Sequence, residues 1–367
     1  MNFDNVTEWR IPANGGMKDV LKVTRNNVVL WEKETEPDNN YFWIKNLSNN
    51  VVRITSTSGT LFYSTNTTNW NTWRSNSNVS YIDIEPNKHY YIRTYSLLKD
   101  SPLLSTTNAP SLKIGGNLRK IYYNRETGHD LSIQPHYYQY IFNGNTAIYD
   151  ASELVITIND TIKNETSSSI SLTDNESGWA YCCCGLFKNC TNLVYPPAEM
   201  KIPCFTYQGQ TGYSTTCYVR AYVQSWESAF EGCTSLIKTP VIKLNAPKVS
   251  YKYQTKIMGR TVTITGAEEL TNNYITGRQI LWYAFKDCSN LNEVHFQCGD
   301  IATDFTQTIH GVNYRIKWYD YSDVSVNSPT YSMLTQTANQ GTVYIPTGRS
   351  SEFTSNMIPS GWTVVEQ

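Results

Sequence analysis

Short stretches of alternating apolar and polar positions run through the first hundred residues, and this period of two predicts strands rather than helices. Met17-Lys18-Asp19-Val20-Leu21-Lys22-Val23-Thr24 alternates, Arg25-Asn26-Asn27 turns, and Val28-Val29-Leu30-Trp31 returns, which predicts a hairpin with an asparagine-rich loop. Residues 1–36 read as a separate short module, with a boundary at Glu34-Thr35-Glu36-Pro37-Asp38. Over residues 37–100, strands are predicted at Tyr41-Phe42-Trp43-Ile44, Val51-Val52-Arg53-Ile54, Thr60-Leu61-Phe62-Tyr63, Val79-Ser80-Tyr81-Ile82-Asp83-Ile84 and Tyr90-Tyr91-Ile92-Arg93. They are β-branched or aromatic and separated by Asn, Ser and Gly, which points to a small all-β sandwich. Ser64 to Trp73 reads as a polar loop carrying Trp70 and Trp73. Residues 101–115, bracketed by Pro102 and Pro110, read as a linker. Gly115-Gly116-Asn117 reads as a turn, because no lysine and hydroxyl residue follow to make a phosphate loop.

The remainder contains an internal repeat. Leu186-Phe187-Lys188-Asn189-Cys190-Thr191-Asn192-Leu193 matches Ala229-Phe230-Glu231-Gly232-Cys233-Thr234-Ser235-Leu236 and Ala284-Phe285-Lys286-Asp287-Cys288-Ser289-Asn290-Leu291. A fainter copy, Ile141-Phe142-Asn143-Gly144-Asn145-Thr146-Ala147-Ile148, has no cysteine. The phenylalanines fall at 142, 187, 230 and 285, in steps of 45, 43 and 55 residues. The spacing predicts a short helix carrying Phe and Cys on one face, then a tight turn, then a strand begun by Leu. One such unit cannot close a core, so the units are expected to stack and line Phe, Cys and Leu into internal ladders. The uneven step implies insertions, expected as loops at residues 198–222 and 246–278. Gly341-Thr342-Val343-Tyr344-Ile345-Pro346, a short amphipathic turn at Ser350-Ser351-Glu352-Phe353 and a last strand after Ile358-Pro359-Ser360-Gly361 read as a cap over residues 341–367. The fold class expected is thus β-rich and multidomain, mixed α+β: hairpin module, β-sandwich, linker, and an irregular repeat array with short helices over residues 116–340 before the cap.

Composition narrows the function. The 367 residues are 40% hydrophobic and 17% charged, with 27 tyrosines, too aromatic for a disordered chain. A net charge of −1 provides no overall basic field for nucleic acid or an anionic membrane. No apolar run approaches the length that spans a bilayer, so no membrane insertion is expected. The start, Met1-Asn2-Phe3-Asp4-Asn5, has neither the basic nor the apolar region of a secretory signal. Nine cysteines, without paired C-x-x-C spacing, read as buried thiols rather than zinc ligands or a disulfide scaffold. For Cys182-Cys183-Cys184, a redox or intermolecular cross-link is the competing reading.

The core [AL]-F-x-x-C-[TS]-x-L resembles the BspA-like leucine-rich repeat, in which the position before Cys is Gly or Asn. The closing segment, Val343-Tyr344-Ile345-Pro346 with Gly361-Trp362-Thr363-Val364, is similar to the ends of such arrays in Bacteroidales proteins and their phages. The opening segment, and Tyr63-Ser64-Thr65 with Thr68-Asn69-Trp70, resemble modules of gut phage virion proteins. The resemblance implies a non-enzymatic head or tail fibre or decoration protein of a crAss-like or related Bacteroides phage, located in the virion. It would be anchored to other virion proteins by its N-terminal module, homo-oligomeric, and would bind host-surface glycan. The alternatives are a bacterial surface adhesin of the same repeat class and a capsule-degrading depolymerase.

No catalytic, metal or cofactor set emerges. The five histidines, His89, His129, His136, His295 and His310, form no ligand pair, and no G-x-S-x-G elbow occurs. Asp150, Glu153, Asp304, Asp320 and Asp323 are raw material for paired-carboxylate chemistry and no more. Aromatic side chains are the better lead to a binding surface, since they supply contact area at little entropic cost. The candidates are Trp70 and Trp73, the run from Tyr314 through Trp318, Tyr319 and Tyr321, and the group Tyr137, Tyr138 and Tyr140.

Overall fold

The computed structural model describes residues 10–13, 16–19, 22–25, 28–32, 37–56, 61–76, 79–94, 98, 102–122, 137–158, 161–164, 181–211, 214–222, 224–245, 247–271, 280–298, 305–318, 332–353 and 358–367. Among these the protein is β-rich: 26 strands and two 3₁₀ helices, Leu118–Ile121 and Ser350–Glu352. No described helix is long and apolar enough to cross a membrane. The chain forms two compact units, Met1–Asp38 and Asn39–Gln367. The first contains two antiparallel hairpins, Arg10–Ala13 with Gly16–Asp19 and Lys22–Arg25 with Val28–Glu32. The second of these is the expected hairpin, although its first strand starts at Lys22 and Gly16–Asp19 belongs to the other.

The second unit opens with two facing sheets. One has the order Leu104–Ser105, Val52–Ser56, Val79–Ile84, Arg74–Asn76; the other runs Ile148–Val155, Leu112–Asn117, Trp43–Asn46, His89–Thr94, Leu61–Ser64, Asn71–Thr72. Alternating side chains such as Val52, Ile54, Ile82, Phe42, Ile44 and Ile92 fill the space between them. Asn46, fully buried, spends both ends of its amide. It donates to the carbonyls of Asn50 (2.7 Å) and Ile84 (2.9 Å) and accepts from the backbone and hydroxyl of Ser48. Three expectations change here. Residues 101–115 are not a linker: Leu103, Leu112 and Ile114 are completely buried, and Leu112–Asn117 pairs with Trp43–Asn46 on one side and Ile148–Val155 on the other. The sandwich therefore shares a sheet and one continuous apolar core, from Phe42 to Trp362, with the repeats. Gly115 and Gly116 lie in that strand, not in a turn. A Cβ at Gly115 would stand 2.2 Å from the Trp43 ring, so glycine is what lets the indole lie against the backbone.

The repeat windows stack, but not as helices. Alternate amides close i+3 turns within a window: Cys184, Leu186, Lys188 and Cys190 donate to Tyr181, Cys183, Gly185 and Phe187 at 3.0–3.2 Å. The amides between them donate outward to the next window. Cys183, Gly185, Phe187 and Asn189 reach the carbonyls of Ser225, Glu227, Ala229 and Glu231 at 2.7–2.8 Å. The pattern recurs from 138–144 onto 182–188, and from 226–232 onto 280–286. A helix would use every amide internally and leave none to join the windows. The geometry requires a positive φ at every fourth residue, seen at Tyr181, Gly185, Asn189 and at Gln224, Ser228, Gly232. The position two after Phe is always one of these: Gly144, Asn189, Gly232 and Asp287. Gly, Asn and Asp are the residues that adopt this conformation most readily, which explains the short polar residue before Cys.

Side chains repeat the same logic. The rings of Phe142, Phe187, Phe230 and Phe285 stack at centroid spacings of 5.3 Å with interplanar angles of 22°, 18° and 12°. Phe42 of the sandwich continues the column, 5.8 Å from Phe142. Each repeat cysteine donates its S–H to the carbonyl of the preceding phenylalanine: Cys190 to Phe142 (3.0 Å), Cys233 to Phe187 (3.1 Å) and Cys288 to Phe230 (3.0 Å). In the first window the chain beneath is Leu103, not another repeat, and Asn145 takes the cysteine's place, its amide donating to the Leu103 carbonyl at 2.9 Å. On the outer side of the column the residue after Phe alternates in charge. Glu231, 14% exposed, lies between Lys188 (2.8 Å) and Lys286 (3.7 Å).

After the Phe187, Phe230 and Phe285 windows the chain enters Glu199–Ile202, Lys238–Leu244 and Glu293–Phe296 in turn, neighbouring strands of a parallel sheet that continues with Gly341–Ile345 and Trp362–Glu366. The last two strands belong to the expected closing segment. The insertions are not loops. Cys204–Thr211 with Ser214–Ala221 and Phe305–Ile309 with Val312–Trp318 are hairpins, joined with Thr161–Asn164 into a five-stranded sheet, and Lys248–Ile257 with Arg260–Glu269 is a third hairpin.

Two outcomes follow. Phe230→Ala empties a ring covered on both faces and should destabilise the protein by about 3–5 kcal/mol, with Asn145→Ala costing about 1–3 kcal/mol through an unsatisfied carbonyl; denaturant unfolding measures both. Burial alone would raise the Glu231 carboxyl, but the Lys188 hydrogen bond, Ser228 and the charge of Lys286 outweigh it and hold it below the ordinary range. A depressed folded-state value stabilises at neutral pH and loses that effect as pH falls through the carboxylate range. Glu231→Gln should therefore be less stable at pH about 7, with a shallower decline below pH about 5; an unchanged acid limb in pH-dependent unfolding refutes the charge column.

Candidate functional site

The outer face of the parallel sheet carries the side chains that the core does not use. Met200, Ile202, Ile242, Leu244, Val294, Phe296, Val343 and Ile345 point inward. Their alternates form a row across four strands in the register Glu199, Val241, His295, Tyr344. The ladder opens on one side of this row for a local reason. Proline has no amide to donate. Pro196 and Pro197 follow Tyr195, so the pairing of that segment with Ile148–Val155 is an isolated bridge at Asp150–Tyr195, and the next strand begins at Glu199, paired with Val241. In the next window the register slips between Lys238 and Val241, across Thr239-Pro240. The two interruptions leave a groove of about 350 Å³ lined by Ser152, Tyr195, Pro196, Pro197, Ala198, Lys238, Thr239, Val241 and His295.

Each wall is held in place. Tyr195, 45% exposed, meets Tyr149 edge-on at 5.3 Å. Its hydrogen bond to Tyr149, with partial burial and the charge of Asp150, raises the Tyr149 phenol above its ordinary range. Ser152 donates to Asp150 at 2.6 Å. The His295 amide donates to the Thr239 hydroxyl (3.1 Å), and its ring stacks on Tyr344 at 4.6 Å and 10°, with Nε2 3.4 Å from Glu293. Next to the groove, Glu199 sits between Lys201 (3.1 Å) and Lys243. The result is an apolar floor of prolines and valine, one exposed aromatic face, two hydroxyls, a lysine and an imidazole. The chemistry of this set suits a ring with one apolar and one polar face, since Tyr195 and the prolines supply apolar contact and Ser152, Thr239, Lys238 and His295 supply polar groups.

Trp70 and Trp73, expected to bind, do not line this groove. Trp73 is 3% exposed: after Asn71–Thr72 pairs with Leu61–Ser64, its amide donates to the Leu61 carbonyl (2.7 Å) and the indole turns into the sandwich core. Trp70 stays half-buried at the surface, stacked on the Arg93 guanidinium at 3.9 Å, its indole N–H donating to the Thr67 carbonyl. Tyr137 and Tyr138 are completely buried, 5.0 Å apart, and Tyr140 is half-buried against Cys184, so this group belongs to the stack and is not a surface. Trp318 ends the strand Val312–Trp318, whereas Tyr319 and Tyr321 lie outside the described residues. Among the described residues, Trp70 and Trp73 therefore do not share one surface. The groove residues were missed, although the prolines after two of the Leu positions marked where pairing would stop. Of the carboxylates considered, Asp150 (3.6 Å) and Glu153 (2.5 Å) both bind Lys113, which suits a structural ion pair better than acid–base work; Asp304, Asp320 and Asp323 lie outside the described residues.

Among the described residues no cluster of three or more His, Cys, Asp or Glu could hold a metal ion. Cys182, Cys183, Cys184, Cys190, Cys204, Cys233, Cys288 and Cys298 are free and buried. Burial raises the thiols of Cys183, Cys190 and Cys233, and pushes Cys184 up to about 11 and Cys288 to about 12, the reverse of an activated nucleophile. Comparison with protein-family models, curated proteins and solved structures finds no match.

In the native protein at mildly alkaline pH these eight thiols should react with an aromatic disulfide reagent only as fast as the protein unfolds, and promptly in denaturant. Immediate native modification of Cys190, Cys233 or Cys288, located by peptide mass, contradicts the buried S–H contacts.

Proposed function

We propose that this chain is a non-enzymatic attachment component of a phage particle, a head or tail fibre or decoration protein, that offers the groove beside Tyr195 to a glycan on the host surface. In this reading residues 116–340 are a leucine-rich-repeat solenoid of the BspA-like kind and residues 341–367 its cap. The stacked phenylalanines and the window-to-window hydrogen bonds support a solenoid, and the resemblance of the opening and closing segments supports a virion protein. The separate unit Met1–Asp38 suits an anchoring module.

One observation carries the binding role: the groove brings an exposed tyrosine and lysine, two prolines, two hydroxyls and an imidazole together along the outward side of the sheet. A single shallow groove of this kind binds weakly, and many copies on one particle would supply avidity. On a glycan array the full-length protein is expected to retain a defined set of glycans. Tyr195→Ala and His295→Ala should each weaken that binding by about tenfold, equivalent to about 1.4 kcal/mol of stacking and hydrogen bonding, with unfolding unchanged. An array that retains nothing, or binding indifferent to both variants, rejects this function for the groove.

A further inference from the structure

The hairpin of Lys248–Ile257 and Arg260–Glu269 has ten residues in each strand, the longest described, closed by Met258-Gly259. Its base is secured. The Gln307 side chain accepts from the Thr271 amide and donates to the Glu269 carbonyl, both at 3.0 Å. The His310 ring lies 4.4 Å from Tyr251 and 4.6 Å from Tyr253, with Nε2 3.8 Å from Glu268. Past Tyr253 this support ends: residues 254–263 are exposed, with Thr255 alone half-buried. Ile257 is 50%, Met258 99% and Val262 38% exposed. A two-stranded ribbon is marginally stable in water, so such an end gains from a surface to rest on.

Charge and shape identify that surface. From residue 249 to 267 the hairpin carries Lys252, Lys256 and Arg260 and no carboxylate. Among the described residues none of these three cations has an ion pair. The turn has positive φ at both central residues, 49° at Met258 and 76° at Gly259, a conformation for which Asn or Gly is the fitting first residue. His310-Gly311 makes a turn of the same kind (50° and 78°), but there the side chain is packed between two tyrosines, whereas Met258 projects into solvent. An apolar point ringed by cations matches the boundary of an anionic bilayer, where apolar groups sink about 5–10 Å and basic ones stay at the headgroups. Three residues per strand at about 3.3 Å each cover that depth. A soluble polyanion would leave Ile257 and Met258 uncovered, and a second copy of this tip would bring like charges together.

We propose that the distal hairpin docks on anionic lipid bilayers, seating Ile257 and Met258 at the acyl boundary and Lys256 and Arg260 among the phosphates, with Lys252 further up the strand adding to the local positive field. The net charge of −1 hides this local field, and docking of this kind crosses no membrane. The test is co-sedimentation of the full-length protein with vesicles of phosphatidylcholine, with and without phosphatidylglycerol. Binding is expected only with phosphatidylglycerol and should weaken with salt. Lys256→Gln and Arg260→Gln should each reduce it about fivefold, and Met258→Asp about tenfold or more. Met258→Asn, which suits the turn, checks that the fold survives while still weakening binding. Failure to sediment with phosphatidylglycerol vesicles overturns the proposal. So does binding that Met258→Asp leaves intact and dextran sulfate competes away, which would indicate a polyanion site.

Discussion

Everything in the larger unit depends on how the repeat windows divide their backbone amides. Half close turns inside a window and half reach the next, so neither local nor stacked structure can form without the other. The requirement propagates into side chains. It demands a left-handed residue two after each phenylalanine, hence Gly144, Asn189, Gly232 and Asp287. It brings successive backbones close enough for the phenyl rings to stack at 5.3 Å and for a cysteine thiol to reach the carbonyl below. Cysteine suits that position because it is small and apolar yet still offers a weak donor. Asn145 shows the same need met differently, where the neighbour beneath is Leu103.

This backbone plan leaves one face of the molecule free to vary. The turn side is tied by stacked rings and the column Lys188, Glu231, Lys286. The parallel sheet has its inward positions committed to the core, while its outward positions lie outside the phenylalanine and cysteine columns. There the prolines at 196, 197 and 240 interrupt the ladder and make the groove. The long hairpins leave the stack after the sheet strands and carry their own chemistry, as the Gln307 and His310 contacts and the exposed Met258 illustrate.

The parts of this architecture legible in the sequence are those with a strict spacing. Phe, Cys and Leu at three-residue intervals marked the windows, and alternation marked the sandwich strands. The same spacing misled on local form, because a three-residue interval fits consecutive turns as well as a helix, and only the partner of each amide separates them. Pro102 and Pro110 made residues 101–115 look like a linker, although Leu103, Leu112 and Ile114 are core. Trp70 and Trp73 look alike in a polar stretch, yet pairing of Asn71–Thr72 sends one outward and one inward. The groove was illegible because its residues come from the segments after four windows and meet only through register.

The most direct measurement is a double-mutant cycle on the ring column, using Phe187→Leu and Phe230→Leu separately and together and scoring each by denaturant unfolding. Rings in contact should couple by about 0.5–1.5 kcal/mol, so the double variant departs from the sum of the singles. Additivity within about 0.3 kcal/mol would place the two phenylalanines in separate surroundings and contradict the stack on which the fold is built.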